Sequence, residues 1–374
     1  MKKIIFVTGT RADYGKLKSI IKLTQRINSF RTFLFITGMH NVKLFGSTYD
    51  EIIKDKIKNC HIFNNQESKS MDTVLSATIN GFSKFVKKIN PDLIVVHGDR
   101  VETLGCAITA SLNLIKIAHI EGGELTGTID EVIRHSVSKL SQTHFVTNFA
   151  AKRRLVQMGE NKKNIFIIGS PDIDILLRKN LPKIEEVKKR YEIPFEKYAV
   201  CIFHPVVTDQ INILKHSKIL FHSIAKSKKN YIIIYPNNDL GYKIILKNIL
   251  KLKNLDNIKI LPSMRFEYYL TLLKNSSFII GNSSSGIVEA PYYGVPSLNL
   301  GNRQFKRAHL QSIIDIKFKK RDILNKMNFY FKKKYKFKKK FYFGEGNSDI
   351  KFVKIIKKKF FWKISNQKIF IEKK

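Results

Sequence analysis

The feature that most constrains this chain is a recurring unit: a short apolar, β-branched run, then a polar turn, then apolar residues at helical spacing. Residues 3–8 form such a run and meet the turn Gly9-Thr10-Arg11, after which Leu17, Ile20, Ile21 and Ile27 recur at roughly helical intervals. This is the pattern of a strand, a loop and a helix. The unit returns at residues 32–37, 93–97 and 115–120, with helical patterns between, including 74–89. Residues 145–147 and 165–168 read as the last strands of the series, before the breaker cluster Gly169-Ser170-Pro171, where a domain can end. Repeated strand-helix alternation predicts a parallel sheet covered on both faces.

The pattern restarts at residues 198–203, 231–235, 258–261, 278–280 and 297–300. A length of 374 residues exceeds what one core usually organises. The expectation is therefore an α/β protein of two Rossmann-like domains with a cleft between them: residues 1–171, then 172–345, then a basic segment over 346–374. In open parallel sheets ligands bind beyond the carboxyl ends of the strands, so the loops after these runs are where chemistry is sought.

Composition narrows the classes. No stretch approaches the roughly 18 to 20 uninterrupted apolar residues of a membrane span, and Met1-Lys2-Lys3 runs into too short an apolar segment for a signal peptide. A cytoplasmic protein is expected. Cys60, Cys106 and Cys201 stand far apart without CxxC spacing, which argues against a disulfide scaffold or structural zinc. His97, His119, His135 and His204 form no HxxxH or HExxH pair, so no metal is expected. The net charge of +38 suggests an anionic partner, but lysine is scattered along the chain as lysine-biased composition would also place it, and no nucleic acid is expected. Residues 315–374 are the exception, with 21 Lys or Arg against 5 Asp or Glu, including Lys332-Lys333-Lys334 and Lys338-Lys339-Lys340. That tail suits either peripheral contact with anionic lipid or a solvated face.

The loops after the strands hold an unusually polar set: residues 8–14, His97-Gly98-Asp99-Arg100, 119–124, His204, Asn237-Asn238 and 281–286. The last begins GNSSSGIVEAP, a glycine-flanked serine run that reads as lying after a strand and before a helix. Backbone N–H groups and hydroxyls at a helix N-terminus hold phosphate, and Glu289, placed on that following helix, is within reach of a ribose. Asp99, Glu121 and Asp130, with Glu124 and Glu131 nearby, fall at strand ends of the first half. Crowded acids can have their pKa values pushed apart, so that one abstracts a proton while another donates one. Arg11, Arg100 and Arg134 are candidates to orient these acids, and Arg11 to grip a pyrophosphate. His119, inside a strand pattern, reads as a satisfied core histidine; His204, before Pro205, reads as a group touching a phosphate or sugar oxygen. Neither GxxxxGK[ST] nor a GxGxxG after the first strand occurs, so neither ATP nor NAD is indicated.

Together, TGTRADYGKL (8–17), HGDR (97–100), HIEGGELTGTIDEVIRHSVSKLS (119–141), FHP (203–205), YPNND (235–239) and GNSSSGIVEAP (281–291) resemble the hydrolysing UDP-N-acetylglucosamine 2-epimerases of bacterial sialic acid synthesis. The motifs come in that family's order over roughly residues 3–310, and TRADYG looks like its hydrolysing branch. The resemblance implies a glycosyltransferase B type of fold, with the C-terminal helix packing back on the first domain, and often a homo-oligomer, dimer or tetramer. It implies a reaction without metal or nicotinamide cofactor: anti elimination of UDP to 2-acetamidoglucal, then hydration to N-acetylmannosamine. Asp99, Glu121 and Asp130 match the acids that share the proton transfers. Arg11, His204, Asn237, Ser283, Ser284, Glu289 and Arg303 match positions holding uridine diphosphate, and Arg100 and Gly286 fall within the same motifs. One departure is Lys306, where the family tends to have glycine. Two rivals share these motifs or this fold: an epimerase of UDP- or GDP-diacetylbacillosamine, and a glycosyltransferase.

Overall fold

Each apolar run of the sequence becomes a strand of one of two parallel sheets. The computed structural model describes residues 1–42, 48–66, 70–177, 180–332, 335–369 and 371–372; Lys333 and Lys334 of the first lysine run lie outside the described residues. The first sheet holds β1 (Lys2–Thr8), β2 (Phe30–Ile36), β3 (Cys60–Ile62), β4 (Leu93–His97), β5 (Lys116–Ile120), β6 (Thr143–Val146) and β7 (Ile165–Ile167), in the order β3-β2-β1-β4-β5-β6-β7. The second holds β8 (Ala199–Ile202), β9 (Tyr231–Ile234), β10 (Ile258–Leu261), β11 (Ile279–Gly281), β12 (Ser297–Leu300) and β13 (Ile313–Ile316), in the order β10-β9-β8-β11-β12-β13. The pairings are parallel, with Ile4–Phe6 of β1 in register with both Thr32–Leu34 and Leu93–Val95. Ile4, Ile5 and Phe6 are all fully buried, because helices cover both faces of such a sheet.

The helices of the first half are α1 (Arg11–Gln25), α2 (Tyr49–Lys54), α3 (Met71–Ile89), α4 (Val101–Leu112), α5 (Ile129–Leu140), α6 (Phe149–Gln157) and α7 (Pro171–Leu176). Those of the second are α8 (Ile184–Tyr191), α9 (Gln210–Ser227), α10 (Tyr242–Leu250), α11 (Phe266–Asn275) and α12 (Lys320–Lys332), followed by α13 (Ser348–Ile356) and α14 (Lys359–Lys363). Among the described residues no helix is long and apolar enough to cross a membrane.

The chain divides into two compact units. Unit 1 is Met1–Glu124, Asp130–Arg178 and Tyr342–Lys374; unit 2 is Leu125–Ile129 and Lys179–Phe341. Helix α7 lies past the expected boundary at 171 yet belongs to unit 1, where it packs on α1 and α13. The C-terminal segment belongs there for the same reason. Phe352, Val353 and Ile356 form an apolar stripe on α13, and the Phe352 ring meets Phe145 at 4.6 Å and Phe6 at 6.2 Å. Burying one such ring contributes roughly 1.5–3 kcal/mol.

Both ends of that segment are pinned by charged groups. Asp174 accepts from Ser348 N (2.9 Å), Ser348 Oγ (2.6 Å) and Asp349 N (2.8 Å), capping α13 from outside its own sequence. Lys116 Nζ donates to the carbonyls of Phe361 (3.1 Å), Trp362 (3.1 Å) and Ile364 (2.7 Å) at the end of α14. Asp174→Ala is expected to cost about 1–2 kcal/mol, as loss of a helix cap does, with faster amide exchange over 348–356. Unchanged exchange there would contradict the cap.

Candidate active site

In unit 1 the strand order reverses between β1 and β4, and polar side chains gather where their carboxyl ends part, as expected for an open α/β sheet. The loop after β1 is built as a helix cap: Thr10 Oγ1 accepts from Asp13 N at 3.1 Å, and Asp13 Oδ2 reaches back to accept from Gly9 N at 3.0 Å, a variant of the capping box. This fixes the Asp13 carboxylate against β4. Its Oδ1 lies 2.7 Å from His97 Nδ1, and His97 Nε2 faces Glu121 Oε2 at 3.4 Å. Glu121 follows β5 with φ +64°, and its Oε1 accepts from Ser170 Oγ, just after β7. His97, anchored by Asp13, and Ser170 thus meet one buried carboxylate.

Burial alone lowers the pKa of an imidazole, but the Glu121 carboxylate and the Asp13 hydrogen bond more than offset it and raise His97 from 6.5 to about 9. Burial likewise pushes Asp13 up, and the His97 hydrogen bond and charge bring it below its ordinary value. His119 is the reverse case. Its Nε2 lies 2.8 Å from Gly98 O and its Nδ1 3.0 Å from Ser138 Oγ. A carbonyl can only accept, so Nε2 carries the proton, and burial lowers the group to about 3. It is the satisfied core histidine expected from the sequence, and it holds the turn that carries Asp99.

Asp99 pairs with Arg134 Nη2 from α5. Arg134 is 2% exposed and its Nη1 donates to Glu124 O at 3.2 Å, while Glu124 Oε1 accepts from Thr147 Oγ1. Asp130 stands half-exposed in the first turn of α5, one turn before Arg134. Arg11, expected either to orient an acid or to grip a pyrophosphate, and Arg100, expected to orient an acid, both sit beside acids: Arg11 Nε is 3.1 Å from Glu51 Oε2, and Arg100 Nε 3.2 Å from Glu102 Oε2. Asp13 and His97 fall in the polar strand-end set of the sequence but drew no specific role there, and Ser170 read only as part of a breaker cluster. Thr10 and Asp13 at cap spacing were the available signal.

In unit 2 the order reverses between β8 and β11. His204 follows β8 and Asn282 follows β11, and the two are clamped. Asn282 Oδ1 accepts from His204 N at 2.7 Å and its Nδ2 donates to His204 O at 2.9 Å. His204 Nδ1 accepts from Asn237 N at 3.0 Å, which puts the proton of the neutral ring on Nε2, and Asn237 Nδ2 donates to Asp239. The carbonyl of Asn282 accepts from Arg303 Nη1 (3.5 Å) and Gln304 Nε2 (3.2 Å). A cavity of about 500 Å3 opens beside His204 and Asn282, with Asp209, Asp315 and a His216–Phe318 stack at 3.8 Å in its wall.

The serine loop corrects one expectation. No α-helix follows it: Ser284–Gly286 and Ala290–Tyr293 are 3-10 turns, and Pro291, which lacks an N–H, stands where a helix would need a donor. Little helix dipole is available there; the polar groups are hydroxyls and amides. Ser283 Oγ accepts from Ser285 N at 3.3 Å, and Ser285 Oγ meets Tyr269 Oη at 2.5 Å. Ser284 is half-exposed. Gly281 is required, since a Cβ there would lie 1.9 Å from Ile202 O, and one on Gly286 would lie 2.3 Å from Ser297 Oγ. Glu289 is buried, on a turn and not on a helix. Burial first, and Glu289 second, push the phenols of Tyr269 and Tyr293 far up.

Lys306 has φ +57°, the left-handed conformation glycine adopts at no cost and other residues at roughly 1–2 kcal/mol. Lys306→Gly is accordingly expected to leave stability unchanged or raise it by up to about 1 kcal/mol, measured by urea unfolding. A clear loss would show that the lysine side chain compensates its backbone.

Two doubly wound α/β units, each gathering polar groups at its switch point, define a Rossmann-like protein built to bind at strand ends. A family model described as UDP-N-acetylglucosamine 2-epimerase matches residues 22–357, and the chain belongs to that family. It is 42% identical over 375 residues to UDP-N-acetylglucosamine 2-epimerase of Neisseria meningitidis serogroup B, covering 100% of this chain and 99% of that one. It is 33% identical over 84% of its length, and 85% of the other's, to the UDP-N,N'-diacetylbacillosamine 2-epimerase (hydrolyzing) of Legionella pneumophila. Among solved structures, Methanocaldococcus jannaschii UDP-GlcNAc 2-epimerase in complex with UDP-GlcNAc and UDP matches at a TM-score of 0.81 and 25% identity, over 96% of this chain and 99% of that one. The expected fold of two Rossmann-like α/β domains is thereby shown.

Proposed function

We propose that the protein converts UDP-N-acetylglucosamine and water to N-acetylmannosamine and UDP, a step toward sialic acid. One observation carries the reading: a buried carboxylate, Glu121, that accepts from Ser170 Oγ and faces His97 Nε2 at 3.4 Å, the two coming from different strand ends of unit 1. A titratable group held by a specific charge partner at a strand end is a functional-site candidate. The full-length likeness to the meningococcal protein supplies the sugar nucleotide, and the word hydrolyzing in the name of the Legionella relative supports release of free sugar.

In this reading a carboxylate of unit 1 takes the C2 proton. The C2–H electron pair forms the C1=C2 bond, and UDP leaves C1 with the C1–O pair. Water then bonds to C1 while C2 takes a proton on the opposite face, which inverts that carbon. Asp99, Glu121 and Asp130 share these transfers. Negative charge develops on the departing diphosphate, and preorganised donors there lower the barrier most effectively. Arg11, Arg100, His204 through Nε2, Asn237, Ser283, Ser284, the Gly286 backbone and Arg303 are the groups for that charge, with Glu289 at the ribose.

The test is chromatography of the products from UDP-N-acetylglucosamine. Equal amounts of UDP and N-acetylmannosamine are expected. UDP-N-acetylmannosamine with no free UDP would contradict hydrolysis. Turnover of UDP-N,N'-diacetylbacillosamine alone would move the reading to that sugar, which the Legionella relative favours as second choice.

A further inference from the structure

We propose that His97, anchored by Asp13, is the positioning residue that fixes the Glu121 carboxylate for proton transfer at the sugar. The inference rests on the reading of Glu121 as a proton-transfer acid, and it adds a role for two residues that reading leaves idle. His97 is 8% exposed at the end of β4, with one ring nitrogen 2.7 Å from Asp13 Oδ1 and the other 3.4 Å from Glu121 Oε2. An imidazole between two carboxylates is stable as the cation, with a proton on each nitrogen. Asp13 cannot swing away, because Gly9 N holds its second oxygen at 3.0 Å. The ring is therefore fixed on one side and presents positive charge on the other.

Ser170 Oγ donates to the remaining oxygen of Glu121. With one oxygen facing His97 and the other Ser170, a group from a different strand end meets each oxygen of the carboxylate. Glu121 also holds a left-handed backbone, φ +64°, a conformation uncommon for a residue other than glycine. Such strain persists where surrounding contacts over-determine it.

The other titratable groups facing this cluster are His119 on β5 and His40, whose Nε2 meets Thr8 Oγ1 at 3.1 Å. Burial lowers them to about 3 and about 4, so neither titrates near neutrality. The sign of the pH effect follows. His97 has its folded pKa raised from 6.5 to about 9, so its contribution to stability is complete below pH 6.5 and is lost as pH rises through about 9.

The test compares His97→Asn with His97→Gln in the full chain. The asparagine amide reaches the Nδ1 position and keeps Asp13; the glutamine amide reaches the Nε2 position and keeps a donor at Glu121. With UDP-N-acetylglucosamine, kcat is expected to stay within about tenfold of wild type for His97→Gln and to fall at least about 100-fold for His97→Asn, with UDP affinity changed less than about twofold in both. Equal losses in the two variants, or losses confined to KM, would overturn the inference. A readout free of turnover covers the case where wild type is inactive on that sugar nucleotide and only the functional reading fails. In histidine-labelled protein the His97 ring is expected to stay protonated on both nitrogens through pH 8. Titration below pH 7 would overturn the inference whatever the substrate.

Discussion

Replacing Glu121 by glutamine is expected to lower turnover of UDP-N-acetylglucosamine by about 1,000-fold, within the usual range for removing a positioned general acid or base. UDP affinity should change little, because the proposed nucleotide-holding groups His204, Asn237, Ser283 and Ser284 lie in unit 2, and those of unit 1, Arg11 and Arg100, pair with Glu51 and Glu102. The amide is nearly isosteric and still accepts from Ser170 Oγ through its carbonyl oxygen, so the fold should survive. Steady-state kinetics and calorimetry with UDP separate the two effects. A kcat within tenfold of wild type would remove Glu121 from the chemistry; a large loss of UDP affinity would make it a binding group instead.

Arg134→Met is the second large effect. Arg134 is buried, pairs with Asp99 and donates to the Glu124 carbonyl, so truncation leaves one carboxylate and one carbonyl without their donor. Removing one partner of a buried pair costs 3–5 kcal/mol; Asp99 retains some solvent access, with 26% of its side chain exposed, and about 3 kcal/mol is expected. Urea unfolding measures it. The double variant Arg134→Met with Asp99→Asn should recover part of that loss, since the orphaned charge is then gone. A double variant less stable than Arg134→Met would show that the pair is not what holds the two residues.

The fold was legible because buried parallel strands are written as continuous apolar runs: residues 93–97 became β4, and 231–235 became β9, which ends one residue earlier at Ile234. The strands passed over are edges. Cys60–Ile62 of β3 is exposed throughout and only three residues long, and Ile313–Ile316 of β13 is interrupted by Asp315, so neither has the composition of a buried strand. The helix expected after the serine loop failed on Pro291, whose missing donor weighs more than the apolar spacing of its neighbours.

The candidate site was legible one residue at a time. Glu121, Asp99 and His204 follow strands and could be picked out singly. Their partners were legible only in part: Arg134 and Asn237 stood out beside Asp99 and His204, while Asp13 and Ser170 did not. Asp13 and His97 are 84 residues apart, and nothing in local periodicity says that β1 and β4 are neighbours. Sheet order makes that pair, and with it the difference between an acid at a strand end and an acid held for use. Lys306 shows the converse: a departure from a resemblance, seen first as a letter, is a left-handed backbone position occupied by a side chain.

Proton abstraction at C2 with loss of UDP is tested by an NMR time course of the purified protein with UDP-N-acetylglucosamine in D2O, without added metal or acceptor. Free N-acetylmannosamine carrying deuterium at C2, formed together with UDP, is the predicted result. N-acetylmannosamine that keeps hydrogen at C2, or a sugar nucleotide that stays intact, would contradict it.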